Sequence, residues 1–335
     1  GFYSSIGGNE SSRCANDVAK EILKLRKENI DGLVLDVRYN RGGSLYEAVA
    51  MAGIFIDGGP MGILKDKTGA VTSVKDMNRG TVYDGPLVLM VNGLSASASE
   101  FLAAALQDYN RGVIVGSRTY GKATGQVIVP MQPGKTEIDH TLDMKSGWGF
   151  STITTMKIYR ITGKTAQKNG ITPDIILPDF YDFIKFREAY APGALPSDSI
   201  YKKTYYTPFK PLPLKQLAEK TRHRVSGSEA FNLTAACSRQ IVELKRRLDS
   251  VSLNWVDYKI LMDAEASKFR LLSEITGKPT TAYEVNNHAF DKERIKMDEY
   301  GRQINDGWIK NLLHDITLEE AFYIICDYIE ATSPN

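Results

Sequence analysis

Cysteine is scarce in this chain. Cys14, Cys237 and Cys326 stand far apart, each among apolar or helix-forming neighbours. An odd number at such spacing excludes a disulfide framework and any zinc-binding pattern, so all three are expected to be buried structural thiols. Histidine is nearly as rare: His140 lies in a polar turn region, and His223, His288 and His314 lie in helix-like text. None has the context that a Ser-His-Asp triad would need. Neither sign of charge dominates, since 42 Lys and Arg face 40 Asp and Glu for a net +2. General attraction to nucleic acid or anionic lipid is therefore not expected. The short basic clusters at residues 24–27 and 245–247 read as solvated helix faces. No apolar run reaches the ~18 residues that crossing a bilayer requires. No signal peptide or internal repeat is visible.

What is present is a packed globular composition, 42% hydrophobic and 24% charged over 335 residues, long enough for two domains. The first residues, Gly1-Phe-Tyr-Ser-Ser-Ile-Gly-Gly, read as a strand already under way, as though the chain began inside a larger protein. Ala15, Val18, Ile22 and Leu25 step at helical spacing. Gly32-Leu-Val-Leu-Asp-Val37 and Pro86-Leu-Val-Leu-Met-Val91 are continuous apolar runs, as in strands buried on both faces. Gly112-Val-Ile-Val115 is a third such strand. Helices are expected at residues 45–55 and 98–109, and the alternation predicts an α/β core. Residues 126–130 and 151–161 read as further strands, with turns at Pro133-Gly134 and Ser146-Gly147. Residues 192–213 are rich in proline, serine and tyrosine and read as an extended segment. Beyond Leu214 the spacing is helical, as in Ile241, Leu244, Leu248 and Val251 and again in Leu318, Ala321, Phe322, Ile325 and Ile329.

The chemistry concentrates in Asn92-Gly-Leu-Ser-Ala-Ser97-Ala-Ser-Glu100 and Gly121-Lys122-Ala-Thr-Gly-Gln126. Ser97 falls where a strand ends and a helix begins, and the free N–H groups of a helix start favour negative charge, including an oxyanion. The same position suits a plain N-cap serine. A serine nucleophile needs a base beside it. A lysine can serve only if burial strips its proton, because a free lysine has a pKa of about 10.4. Taken alone, a loop lysine such as Lys122 reads as a solvated surface charge. Gln126 can orient an amine through its side-chain carbonyl without adding a counter-charge. The paired glycines of Asn40-Arg-Gly-Gly43 follow a buried strand and allow close backbone approach. That loop supplies either a second oxyanion donor, beside the Ala98 N–H, or an ordinary turn. Gly116-Ser-Arg-Thr-Tyr-Gly-Lys122 matches the spacing of a phosphate loop. Ala123 stands where a magnesium-binding Ser or Thr is needed, and strand-like text follows where a helix should start.

Taken together, Arg38-x-Asn-x-Gly-Gly43, Ser95-Ala-Ser-Ala-Ser-Glu100, Ala105-Leu-Gln-Asp-Tyr109, Tyr120-Gly-Lys122 and Gly170-Ile-Thr-Pro-Asp174 resemble the C-terminal-processing, or tail-specific, serine peptidases. The resemblance covers about residues 1–180, and the remainder looks like the C-terminal extension of the larger bacterial members. It implies an α/β fold with a crotonase/Clp-protease-like core, a twisted sheet with flanking helices, and a mostly helical C-terminal domain. The expected division is a peptidase core at 1–180, an extended linker at 181–213 and a helical domain at 214–335. It further implies Ser97 as nucleophile, Lys122 as general base, Gln126 as its orienting partner, Gly43 and Ala98 as oxyanion donors, and Asp108 as structural support. Cofactors are expected to be none, neither ATP nor metal, and the compartment is expected to be the bacterial periplasm. The implied partners are proteins or peptides with an exposed C-terminal tail, with an adaptor protein or self-association besides. The PDZ domain that precedes the core in this family is not readable here. A catalytically silent peptide-binding module and a Ser-Lys esterase or amidase remain as alternative readings.

Overall fold

A computed structural model describes residues 1–3, 13–131, 149–201, 204–247, 252–276 and 278–333. The expected turns at Pro133-Gly134 and Ser146-Gly147, with His140 and most of the first strand-like stretch, lie outside the described residues. Among the described residues eight strands appear: β1 (Leu33–Asp36), β2 (Pro60–Asp66), β3 (Val71–Lys75), β4 (Leu87–Val91), β5 (Val113–Gly116), β6 (Thr124–Pro130), β7 (Phe150–Tyr159) and β8 (Ile175–Ile176). Among them run α1 (Cys14–Arg26), α2 (Leu45–Gly53) and α3 (Ala98–Asp108). After them come α4 (Leu214–Gly227), α5 (Glu229–Arg247), α6 (Trp255–Thr276), α7 (Ala289–Lys296), α8 (Glu299–Leu313) and α9 (Ile316–Thr332).

The strands form a sheet of order β1-β4-β5-β8, parallel throughout, and an antiparallel sheet of order β3-β2-β7-β6. Strand residues alternate between faces. On β4, Leu87, Leu89 and Val91 join the core built with α2 and α3, whereas Val88 and Met90 join one built with Leu217 of α4 and Ala321, Ile324, Ile325 and Tyr328 of α9. Both faces are covered by helices, which is why β4 and β5 read as unbroken apolar runs, whereas the edge strand β1 is only partly buried and ends on the exposed Asp36. The sequence reading has no counterpart for β2 and β3. One basic-cluster residue also departs from expectation: Lys24 is half-buried and pairs with Asp291 of α7 at 3.3 Å, whereas Arg26 is exposed as expected and donates to the Val82 carbonyl at 2.7 Å. Cys14 and Cys237 are buried, but Cys326 is exposed, because it lies on the face of α9 turned away from the sheet.

At the end of β5, Gly116 has φ +128, and an added Cβ would fall on the Val91 carbonyl oxygen. That oxygen already accepts the Ser117 N–H at 3.2 Å. Gly116→Ala therefore combines a disfavoured backbone conformation with a backbone clash, and a loss of about 3 kcal/mol or more is expected. Urea unfolding against the parent protein measures it.

Candidate active site

Because β1, β4 and β5 are parallel neighbours, the loops leaving their C-terminal ends converge at one edge of the sheet, where open α/β sheets place their sites. These loops are residues 37–43, 92–97 and 117–123. Side chains of the Asn92–Ser99 stretch stitch them together. Asn92 Oδ1 accepts from the Tyr39 N–H at 3.0 Å and the Leu94 N–H at 3.1 Å. Ser95 Oγ donates to the Val37 carbonyl at 2.8 Å, and Ser99 Oγ donates to the Asn40 carbonyl at 2.8 Å. The Tyr120 N–H donates to the Ser95 carbonyl at 3.0 Å. The flanking serines are thus used up in structure, which leaves Ser97 as the half-buried one between them.

Ser97 occupies the N-cap position of α3 with φ 57 and ψ −112. That is a strained conformation for a non-glycine residue, of the kind held at functional sites by surrounding bonds. Much of the holding comes from Glu100, which the sequence reading quotes within the motif without giving it a role. Glu100 is 2% exposed. Its Oε2 accepts the N–H groups of Ser97 and Lys122, both at 2.8 Å, and its Oε1 accepts the Gly121 N–H at 2.7 Å and the Thr119 hydroxyl at 2.5 Å. Burial pushes this carboxyl up to about 7, against the downward pull of its four donors. One side chain therefore fixes the backbones of Ser97 and Lys122 together.

The Lys122 amine donates to Gln126 Oε1 at 2.8 Å, and Gln126 Nε2 donates to Thr154 Oγ1 at 3.3 Å. Ser97 and Lys122 line the same cavity of about 20 Å³, with Met61, Phe101 and Ala166 among its apolar walls. Among the described hydrogen bonds none joins the Ser97 hydroxyl to the Lys122 amine. Gly42 packs directly on the serine: a Cβ there would sit 2.8 Å from Ser97 Cβ. Phe2 bonds to this loop on one side, donating to the Gly42 carbonyl and accepting from the Ser44 N–H, so the Gly43 N–H points to the other side. Among the described residues neither that N–H nor the Ala98 N–H has an acceptor within the chain. Asp108 ion-pairs with Arg160, which lines the same cavity.

The rival readings find less here. The Gly121 and Lys122 N–H groups that a phosphate would use are committed to Glu100, and β6 rather than a helix follows. His288 and His314 bond to the helix carbonyls of Lys24 and Lys310, and neither lines the cavity that holds Ser97 and Lys122. Among the described residues no group of three His, Cys, Asp or Glu is placed to hold a metal. A groove of about 840 Å³ between β8 and α4–α5 holds none of these residues.

Residues 5–177 match the family model described as peptidase family S41, and residues 181–330 match that of the C-terminal domain of tail specific protease. A tail-specific protease of Haemophilus influenzae is 38% identical over 189 residues, which cover 56% of this chain and 26% of that one. A carboxy-terminal-processing protease of Bartonella bacilliformis is 32% identical over 163 residues, covering 47% and 34% respectively. The chain thus spans between about a quarter and a third of these curated relatives. Among solved structures, the photosystem II D1 C-terminal processing protease aligns at 30% identity over 52% of this chain and 40% of that one, with a TM-score of 0.41.

Proposed function

Because the chain belongs to peptidase family S41, we propose that it carries the catalytic core of a serine endopeptidase that cuts proteins at or near their C-terminal tails. The core is residues 1–180, followed by an extended linker at 181–213 and a helical domain at 214–335. The observation that carries the reading is the joint clamp of Glu100 on the Ser97 and Lys122 backbones beside a shared cavity.

Ser97 is the nucleophile and Lys122 the general base. A neutral Lys122 amine takes the Ser97 proton, and Oγ attacks the peptide carbonyl. The carbonyl oxygen, now negative, is received by the N–H groups of Gly43 and Ala98. Lys122 returns the proton to the leaving amine, and water reverses the sequence to free the serine. Gln126 holds the amine without a counter-charge that would keep it protonated. For the first step the amine, still held by Gln126, must also come into contact with Oγ, since catalytic hydrogen bonds often tighten only with substrate bound. The small apolar cavity favours a short uncharged substrate side chain. Asp108, paired with Arg160, supports a wall of that cavity. Substrates are proteins or peptides with exposed tails, the compartment is the periplasm, and an adaptor or self-association completes the expected partners. No described helix is long and apolar enough to cross a membrane.

The missing bond between amine and hydroxyl favours one rival, a peptide-binding module without turnover. A fluorophosphonate probe applied to the full-length protein separates the two. Covalent labelling mapped to Ser97, and lost in Lys122→Ala, is expected of the peptidase. A folded, peptide-binding protein that takes no label is the rival's result and would overturn the reading.

A further inference from the structure

The loop that carries the proposed oxyanion donor is anchored from the far end of the chain. Arg38, at the start of this loop, has a side chain only 10% exposed and is gripped by two carboxylates. Its Nε donates to Asp36 at 3.0 and 3.1 Å. Its Nη1 and Nη2 donate to the two oxygens of Asp315 at 3.1 and 2.5 Å, a two-pronged ion pair. Asp315 is the N-cap of α9, and its Oδ1 also accepts the N–H groups of Thr317 and Leu318. The helix behind it is fixed: Ala321, Ile324 and Ile325 are buried in the sheet core, and Ile325 sits against Gly32, just before β1. The two partners fall in the two separate family matches, residues 5–177 and 181–330.

The residues after Arg38 depend on where it is held. Tyr39 has φ 62, the left-handed region that a tyrosine occupies only when its neighbours compel it. The Asn40 carbonyl accepts the Ala96 N–H at 3.0 Å and the Ser99 hydroxyl at 2.8 Å, on either side of Ser97. Gly42 rests on Ser97 itself. A shift at Arg38 is therefore passed within a few bonds to the nucleophile and to the Gly43 N–H.

We infer that Asp315 is a positioning residue: through Arg38 it holds residues 38–43 in the geometry that the oxyanion requires, so the helical region completes the catalytic apparatus from behind the sheet. This rests on the reading of Ser97, Lys122 and Gly43 given above. The test uses the full-length protein and an internally quenched peptide with an apolar C-terminal tail. Asp315→Asn keeps a side chain able to cap α9 but loses the charge. Arg38→Lys keeps the charge but loses the fork. Each is expected to lower kcat on the order of 10- to 100-fold, as small misplacements of reacting groups do. KM should stay within about twofold, because ground-state binding is untouched. The double variant should fall no further than the worse single, and Asp315→Glu should recover part of the loss. Lys24→Ala, which cuts the separate link between α1 and Asp291, should leave kcat unchanged. Should Asp315→Asn fail to fold, Arg38→Lys carries the same test.

The inference is overturned if folded Asp315→Asn turns over like the parent, or if Lys24→Ala falls as far, which would mean general docking. Ser97→Ala run alongside keeps two failures apart. A silent Ser97→Ala beside a fully active Asp315→Asn removes only the role of Asp315. An active Ser97→Ala removes the reading of the site.

Discussion

Ser97→Ala and Lys122→Ala each lower kcat for cleavage of a tailed protein by about 10³- to 10⁶-fold, and the double variant is no slower than either single. The equality follows from the chemistry proposed for the pair. A hydroxyl without a base does not attack, and a base without a nucleophile has only water to activate. Each residue therefore removes nearly the whole covalent pathway when it is removed alone. KM changes little, since both side chains act on the reacting carbonyl in the transition state rather than on the bound ground state. Lys122→Arg does not restore the rate, because a guanidinium cannot give up its proton in a protein. Gln126→Ala costs less, since it loosens the amine at its 2.8 Å contact without removing it. Burst and steady-state cleavage assays on purified full-length variants supply the measurement. A Lys122→Ala protein that cleaves at the parent rate would mean that another group accepts the Ser97 proton, and the assignment would have to be withdrawn.

Much of this edge of the sheet is legible in the sequence, for a physical reason. The strands β4 and β5 are buried on both faces, so they appear as uninterrupted apolar runs, while the edge strand β1 is half-buried and ends on Asp36; the residues that follow each run mark the loops that meet beside Ser97. The antiparallel sheet is legible only in part. Residues 60–66 contain Pro60, Gly62, Lys65 and Asp66 and carry no alternation, and the strand is specified instead by distant pairing of Ile63 with Tyr159 and Leu64 with Ile158. The helix at residues 316–332 is readable from its spacing, but what it covers is not. Ile324 and Tyr328, which seat it on β4 and β5, lie outside the spaced set Leu318, Ala321, Phe322, Ile325 and Ile329. Cys326 follows from that same face, since the turn that buries Ile324 and Ile325 faces it outward. The link from Asp315 to Arg38 joins residues 277 positions apart, and no local pattern announces it. Glu100 is the most instructive case. Its place in the motif is visible, yet its task depends on backbone donors from the 119–122 loop, and backbone donors leave no trace in residue identity.

Glu100→Gln is expected to lower kcat by about 10²- to 10³-fold, nearly as damaging as a change to the reacting groups, although Glu100 touches only backbone and a threonine. Four donors converge on its two oxygens. A glutamine must turn its NH₂ toward at least one pair of them, leaving donors facing donors around a residue that is 2% exposed. The Ser97 turn and the Lys122 loop then lose their common anchor. Burial of the same carboxyl gives a pH dependence with a definite sign, since it raises the pKa from an ordinary 4.5 to about 7. As pH rises from about 4.5 to 7, the unfolded chain releases this proton first, so the folded state loses stability across that window. Below it the contribution is fully present, and above it the loss levels off, on the order of 3 kcal/mol. Activity runs the other way, because only the ionised carboxylate accepts all four donors, so the rate should climb through about pH 7 as Glu100 ionises. Urea unfolding of Ser97→Ala and Ser97→Ala/Glu100→Gln across that range reads the effect without self-digestion. Replacing Glu100 should remove this part of the slope. Two curves that stay parallel from pH 4.5 to 7 would show that Glu100 is ionised throughout, and the rise in rate would then need another titrating group.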